Sequence, residues 1–249
     1  MNRRGFLRAG LIGASSLGLS GCKVLDGDSG ARRFMAGANG LTYRVQRFLS
    51  GGALAPEFTE SDIRQGMRPN GSVNPDGEEY LALARGGFAD YRLTVTGLVE
   101  RPLSLSLAEL QAMPARTQIT RHDCVEGWSC IAKWTGVPLG LVLDQARPKV
   151  NARYALFRCH DAIERSLSGV VHYYESIDLI DAYHPQTILA YGRKGGALPV
   201  ASGAPGRVRL ERQLGYKMAK YIHTVELVET LPGRGSYWAD RGYDWYAGI

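Results

Sequence analysis

Short β-rich runs, cut off by turn signals and by short helical stretches, limit this chain to few folds. Tyr91 to Val99 alternates polar and apolar side chains among β-favouring residues, which predicts a half-buried strand. Thr117 to Thr120, Ala152 to Cys159, Thr187 to Tyr191, Val208 to Leu210 and Ala219 to Val228 read as extended too. Ser106 to Met113 begins with a capping Ser, carries Glu109 three residues on and stops before Pro114, so it predicts a short helix. Val137 to Ala146, stopped by Pro148, and Ser176 to Tyr183 are further short helices. Pro69-Asn70-Gly71-Ser72 and Asn74-Pro75-Asp76-Gly77 are dense turn signals. Such an order predicts an α+β domain of mixed, mostly antiparallel sheets. Without a composition break, residues 61–249 read as a single domain. A glycine-rich strand–turn–helix fingerprint for dinucleotides or phosphates is absent from the sequence.

The formal charge of +6 invites a nucleic-acid reading, but Arg3, Arg4 and Arg8 sit in an acid-free stretch ahead of the body. Without them the body stands at +3, too little for a nucleic-acid partner. Those arginines precede an uncharged, mildly hydrophobic run from Ala9 to Leu19, far short of a spanning helix. Residues 1–21 therefore read as a twin-arginine signal peptide, which predicts export to the periplasm of an already folded protein. Leu19-Ser20-Gly21-Cys22 resembles a lipobox, so Cys22 is the expected lipidation site and the membrane is expected only as an acyl anchorage. Residues 22–60, rich in Gly, Ala and Ser, read as a linker.

Four cysteines occur, at 22, 124, 130 and 159. With Cys22 assigned to lipid, an odd number remains, so at least one thiol is unpaired in an oxidising compartment. Cys124 stands at the end of a predicted strand, in Arg121-His122-Asp123-Cys124-Val125-Glu126-Gly127-Trp128. A structural zinc site is disfavoured, because the cysteines form no C-x-x-C pair and the histidines are scattered. A thiol-dependent hydrolase with His122 as base stays open at this point, as do a buried inert Cys124 and a Cys130–Cys159 disulfide.

His122 to Ser129, followed by Trp134-Thr135-Gly136-Val137-Pro138-Leu139, resembles the cysteine loop of the sulfite-oxidase-type molybdopterin-dependent oxidoreductases. Ile188-Leu189-Ala190-Tyr191, Gly203-Ala204-Pro205-Gly206-Arg207 and Gly215-Tyr216-Lys217-Met218-Ala219-Lys220 resemble later blocks of the same family, in its order. The likeness covers roughly residues 65–230 and extends to the exported branch near the periplasmic methionine-sulfoxide reductase catalytic subunit. It departs from the family pattern at Ser202, at Gly206 and at Gly192-Arg193-Lys194-Gly195-Gly196.

The resemblance implies a molybdenum–molybdopterin cofactor, with Cys124 as catalytic residue and thiolate ligand to the metal. A soft thiolate suits such a metal and is deprotonated on coordination. It implies cofactor-binding roles for Asn70, Cys159, Ser202, Arg207, Met218, Ala219 and Lys220, with Arg207 recognising phosphate oxygens through its guanidinium fork. Lys217 and Lys220, three apart on a strand, would face opposite sides, and Lys220 is the one expected to line the site. The implied activity is oxygen-atom transfer on a small oxo-donor or oxo-acceptor: S-oxide or N-oxide reduction, or sulfite oxidation. For sulfite, Arg121, Arg153 and Arg158 are the sequence's candidates for a cationic pocket. For S-oxides, Tyr237, Trp238, Tyr243, Trp245 and Tyr246 could line an aromatic mouth. A chain without an appended haem domain implies a separate redox partner, a b-type or c-type cytochrome. The rival reading is a non-catalytic lipoprotein that binds a pterin or a partner.

Overall fold

The computed structural model describes residues 29–63, 66–167 and 169–249, in two units divided between Gly51 and Gly52. The twin-arginine stretch and Cys22 lie outside the described residues.

In the first unit Ser29–Ser50 is one helix, which corrects the reading of residues 22–60 as a linker without periodicity. The Gly, Ala and Ser residues dilute the pattern, but Leu41, Val45, Phe48 and Leu49 still recur at i, i+4, i+7 and i+8, one helical face. The end of the supposed linker belongs to the second unit instead. Glu57 forms a β-bridge with Thr120, and the Phe58 N–H donates to Ile119 O at 2.8 Å. Among the described residues no helix is long and apolar enough to cross a membrane.

Among its described residues the second unit carries ten strands: β1 Arg92–Gly97, β2 Leu103–Ser106, β3 Arg116–Asp123, β4 Ser129–Pro138, β5 Tyr154–Ser166, β6 Gly169–Asp178, β7 Ile188–Arg193, β8 Gly196–Ala197, β9 Arg207–Arg209 and β10 Ile222–Val228. They form two sheets, β2-β1-β10-β5-β6 and β3-β4-β7-β8, with β9 pairing β7. Every pairing is antiparallel except β1 with β10. The mixed, mostly antiparallel α+β architecture is as the sequence predicts.

The short helix before β3 spans Leu107–Ala112 and starts with the expected capping box: Ser106 Oγ accepts from the Glu109 N–H at 3.1 Å, and Glu109 Oε2 accepts from the Ser106 N–H at 2.7 Å. The helix expected from Val137 starts only at Leu139, because Val137 and Pro138 finish β4 opposite Leu189 and Ile188. Likewise the helix expected from Ser176 shrinks to Leu179–Ala182, capped by Asp178, whose side chain accepts from the Asp181 N–H at 2.8 Å. Helix Glu78–Arg85 was not foreseen.

Leu93, Val95, Phe157, Ile177, Val225 and Leu227 fill the first sheet's core with Val142 and Leu143 of the Leu139–Ala146 helix. Each such side chain contributes about 1.5–3 kcal/mol on full burial. A smaller core gathers Ala132, Ile188, Ala190 and Leu198 around Trp134, which is wholly buried. A bulge at Thr135/Gly136 brings β4 so close to β7 that a side chain at Gly136 would stand 2.3 Å from Leu189 O. Only glycine fits there.

Candidate active site

β3 and β4 are a hairpin whose last pairs are His122 with Cys130 and Asp123 with Ser129. Cys124 opens the loop that joins them. Its N–H donates to Trp128 O at 2.9 Å, its carbonyl accepts from the Gly127 N–H at 3.0 Å, and Gly127 takes the positive φ of 85° that closes the turn. The hairpin thus holds the Cys124 thiol, nearly buried, at the base of a cavity of about 180 Å³. Burial raises its pKa, while the Glu126 and Val125 amides pull the other way. A thiol so placed ionises when a cation meets it.

One wall of the cavity is polar: Asn70, Ser72, Asp161 and Lys220. Asn70 Nδ2 donates to Gly215 O at 3.3 Å, leaving Oδ1 buried without a partner. Asp161 Oδ2 accepts from Ser72 Oγ at 2.6 Å, and its Oδ1 is likewise unpartnered. Lys220 Nζ donates to the carbonyls of Ser72 and Ala201. Burial, then nearby Arg207, push Lys220 down to about 7, and burial raises Asp161.

The rest of the lining is largely aromatic and apolar. Tyr173, Tyr216, Trp238, Tyr243, Ile163 and Met218 face the cavity. Tyr243 packs on both Tyr216 (centroids 5.6 Å apart) and Trp238 (5.1 Å), so the C-terminal tail contributes to the lining.

Arg207 lies behind Met218, fully buried. It donates to Ser202 O at 3.0 Å and Met218 O at 3.5 Å, and its Nε has no partner. Among the described residues it forms no ion pair, unlike its neighbour Arg209, whose Nε and Nη2 reach the two carboxylate oxygens of Glu211 at 2.9 and 2.6 Å. Arg193, Arg207 and Arg209 all stack on Trp134, at 5.6, 5.0 and 4.5 Å from its ring. Burial, then Arg209, lower Arg207 to about 9. A buried cation whose nearby acid, Glu211, is already bonded to Arg209 suits an anionic ligand.

Of the residues singled out in the sequence, Asn70, Cys124, Met218 and Lys220 line this one cavity. Ser202 touches Arg207 through its carbonyl and accepts from Arg193 at 2.5 Å through its hydroxyl. Ala219 is buried and its carbonyl accepts from the Val208 N–H at 2.8 Å. Cys159 borders a neighbouring cavity with His160, His172 and His223 instead. Cys124, Cys130 and Cys159 are all free thiols, so Cys130 and Cys159 do not pair.

Lys217 is buried against Glu175 and stays out of the cavity, as expected, but not because of strand alternation: Gly215–Lys217 is a turn of 3-10 helix. The three arginines proposed for sulfite are elsewhere engaged. Arg121 pairs with Asp123, Arg158 with Glu226, and Arg153 donates to the carbonyls of Val150 and Ala152. Ser72 and Tyr216 line the cavity too, inside the segments that carry their neighbours Asn70, Met218 and Lys220, and Asp161 joins them with no local motif to mark it. Of the aromatic tail, Trp238 and Tyr243 reach the cavity, whereas Trp245 donates to Ser176 Oγ at 2.7 Å.

A loop cysteine at the base of a polar-walled cavity, with a buried guanidinium behind it, defines a site for an anionic, metal-bearing cofactor. The family described as "Oxidoreductase molybdopterin binding domain" matches residues 82–238, and the chain belongs to it. It is a molybdopterin-dependent oxidoreductase. It is 37% identical over 248 residues to the putative protein-methionine-sulfoxide reductase subunit YedZ1 of Azospira oryzae, across 99% of this chain and 87% of that protein. It is 39% identical over 149 residues to the protein-methionine-sulfoxide reductase catalytic subunit MsrP of Xanthomonas campestris pv. campestris, across 57% of this chain and 46% of that one. The match thus spans less than half of MsrP. In fold it is similar to the sulfane dehydrogenase SoxCD from Paracoccus pantotrophus, with a TM-score of 0.50 and 21% identity over 57% of this chain and 39% of that one.

The site fits the cofactor. Unpartnered Asn70 Oδ1 and Asp161 Oδ1 await donors, Arg207 awaits an anion, and the Cys124 sulfur is a soft donor.

Proposed function

We propose that this protein reduces S-oxides, with Cys124 as the thiolate ligand of molybdenum. When bound, the cofactor supplies two-electron oxygen-atom exchange, and the protein sets access and electrostatics. Arg207 and Lys220 hold the pterin phosphate as cations, and Asn70 accepts from a pterin donor. Met218 and Ala219 shape the cradle, while Ser202 positions Arg207 through its carbonyl. Cys159, two residues before Asp161 on β5, backs the pterin-binding wall from the neighbouring cavity, its thiol kept protonated by burial.

The observation that carries the choice of substrate is the cavity lining. Tyr216, Trp238 and Tyr243 belong to it, Lys220 is the one cation among its described lining residues, with Arg68 close enough to act on the Cys124 thiol, and Glu126 and Asp161 line it too. A doubly charged anion such as sulfite meets Glu126 there and finds Lys220 already committed to the pterin phosphate, whereas a neutral S-oxide keeps its alkyl groups against the rings. The YedZ1 and MsrP relatives, named as protein-methionine-sulfoxide reductase subunits, support the same class. Electrons arrive from a separate b-type or c-type cytochrome. The twin arginines and lipobox support export to the periplasm and lipidation at Cys22.

Protein purified from a host that makes molybdopterin is assayed for S-oxide reduction, N-oxide reduction and sulfite oxidation. S-oxide turnover, abolished in Cys124→Ser, is expected. Sulfite oxidation as the dominant activity, or matured protein without molybdenum, refutes the reading.

A further inference from the structure

Helix Ser29–Ser50, in the first unit, displays large apolar side chains to solvent. Leu41, Val45, Phe48 and Leu49 share one face and are 63%, 45%, 86% and 76% exposed. Tyr43 and Arg47 lie on the other side, with the guanidinium 5.4 Å from the Tyr43 ring, and Arg44 flanks the apolar face. The helix sequence holds four arginines and no acidic residue. An apolar strip of this size calls for an occupant, and the uniform positive charge specifies an anionic one. At 22 residues the helix is about 33 Å long, but it is not apolar enough to cross a bilayer. A basic amphipathic helix of that kind lies in the plane of a membrane surface.

We propose that Ser29–Ser50 is an interfacial helix seated on a bilayer containing anionic phospholipid. Leu41, Val45, Phe48 and Leu49 enter the boundary between headgroups and acyl chains, and Arg44 reaches lipid phosphates. Durable attachment to a membrane takes two signals, of which the lipid proposed for Cys22 is one and this helix the other. The enzyme body is then held at the surface where a membrane cytochrome delivers electrons. This inference stands apart from the substrate reading, and the test below removes the lipid.

Full-length holoenzyme carrying Cys22→Ser is sedimented with vesicles of phosphatidylcholine alone and of phosphatidylcholine with phosphatidylglycerol. Binding to the anionic vesicles is expected to be about tenfold tighter and to weaken at high salt. Leu41→Gln/Phe48→Gln keeps helix-favouring residues and is expected to lower that binding by about tenfold with molybdenum content unchanged. In Phe48→Trp, brominated lipid is expected to quench the added emission. Equal sedimentation of parent and double variant overturns the proposal, as does binding indifferent to lipid charge. So does a dimer closed over the Leu41 face that leaves vesicles unbound.

Discussion

Arg209 Nη1 donates to His122 Nδ1 at 3.0 Å. A guanidinium has no lone pair to offer, so the imidazole accepts at Nδ1 and carries its proton on Nε2. That Nε2 is buried without a partner, against the backbone of Gly215. Burial first, then Arg209, Arg207 and Lys220, push His122 down to about 2. Too weak a base, with its remaining nitrogen already protonated, His122 cannot activate Cys124, and the thiol-hydrolase reading lapses. Its place is structural, joining the cysteine hairpin to the Arg207–Lys220 segment.

Gly215→Ala tests that junction. The new methyl would stand 2.4 Å from the His122 ring, an overpacking that costs about 1–3 kcal/mol. The expected result is a lower thermal midpoint together with reduced molybdenum content. Wild-type values for both would mean that the ring yields freely.

Arg207→Met should act with opposite signs on the two forms of the protein. In apoprotein, replacing a buried guanidinium that lacks an ion partner with an apolar side chain is neutral or stabilising by about 1 kcal/mol or more. In protein matured with cofactor, molybdenum content should fall at least about tenfold, the scale on which loss of one charged anchor counts. Comparing melting midpoints of both forms with metal analysis checks it. Apoprotein that collapses on this substitution would contradict an anion-binding role.

The buried Lys217–Glu175 pair yields a double-mutant cycle. Lys217 also donates to Ser176 O at 2.9 Å, and both charged groups are removed from solvent. Lys217→Met strands the carboxylate and should cost about 3–5 kcal/mol in urea unfolding. Lys217→Met/Glu175→Gln should recover most of that loss. Additive losses would mean the pair is not coupled.

The His160–His223 contact makes stability fall in mild acid. The rings lie 4.6 Å apart, with Glu79, His172 and Arg158 lining the same cavity. Burial, then His160, hold His223 at about 4, and burial lowers His160 despite Glu79. Below the ordinary histidine value the unfolded chain binds more protons, so the stabilisation is complete above pH about 6.5 and drains away toward pH about 4. Partial exposure limits the His223 share to about 1 kcal/mol per pH unit. Urea unfolding at pH 7 and pH 5 should therefore show a smaller difference in His223→Asn than in the parent. Identical differences would rule this out.

What could be read in advance was local chemistry. The Ser106–Glu109 capping box is decided within four residues, and the Cys124 motif forms its own hairpin loop. Element ends were misjudged where pairing overrides local pattern, as at Val137 and Ser176, which remain in strands because partners lie alongside. Helix Ser29–Ser50 escaped because small residues thin out its apolar repeat. Asp161 reaches the cavity from β5 through long-range packing, and nothing beside it in sequence announces it.

β10, the last strand, is also the middle one of its sheet, pairing β1 in parallel on one side and β5 on the other. A nascent chain on the ribosome therefore holds two unjoined half-sheets until about residue 228 has emerged. Closure depends on contacts far apart in sequence, the kind that slow folding. The Arg207–Lys220 segment, strung between β9 and β10, gains its final backing only at that step. Synthesis and cofactor capture are thus ordered in time: the cradle exists only after translation of this unit is nearly over.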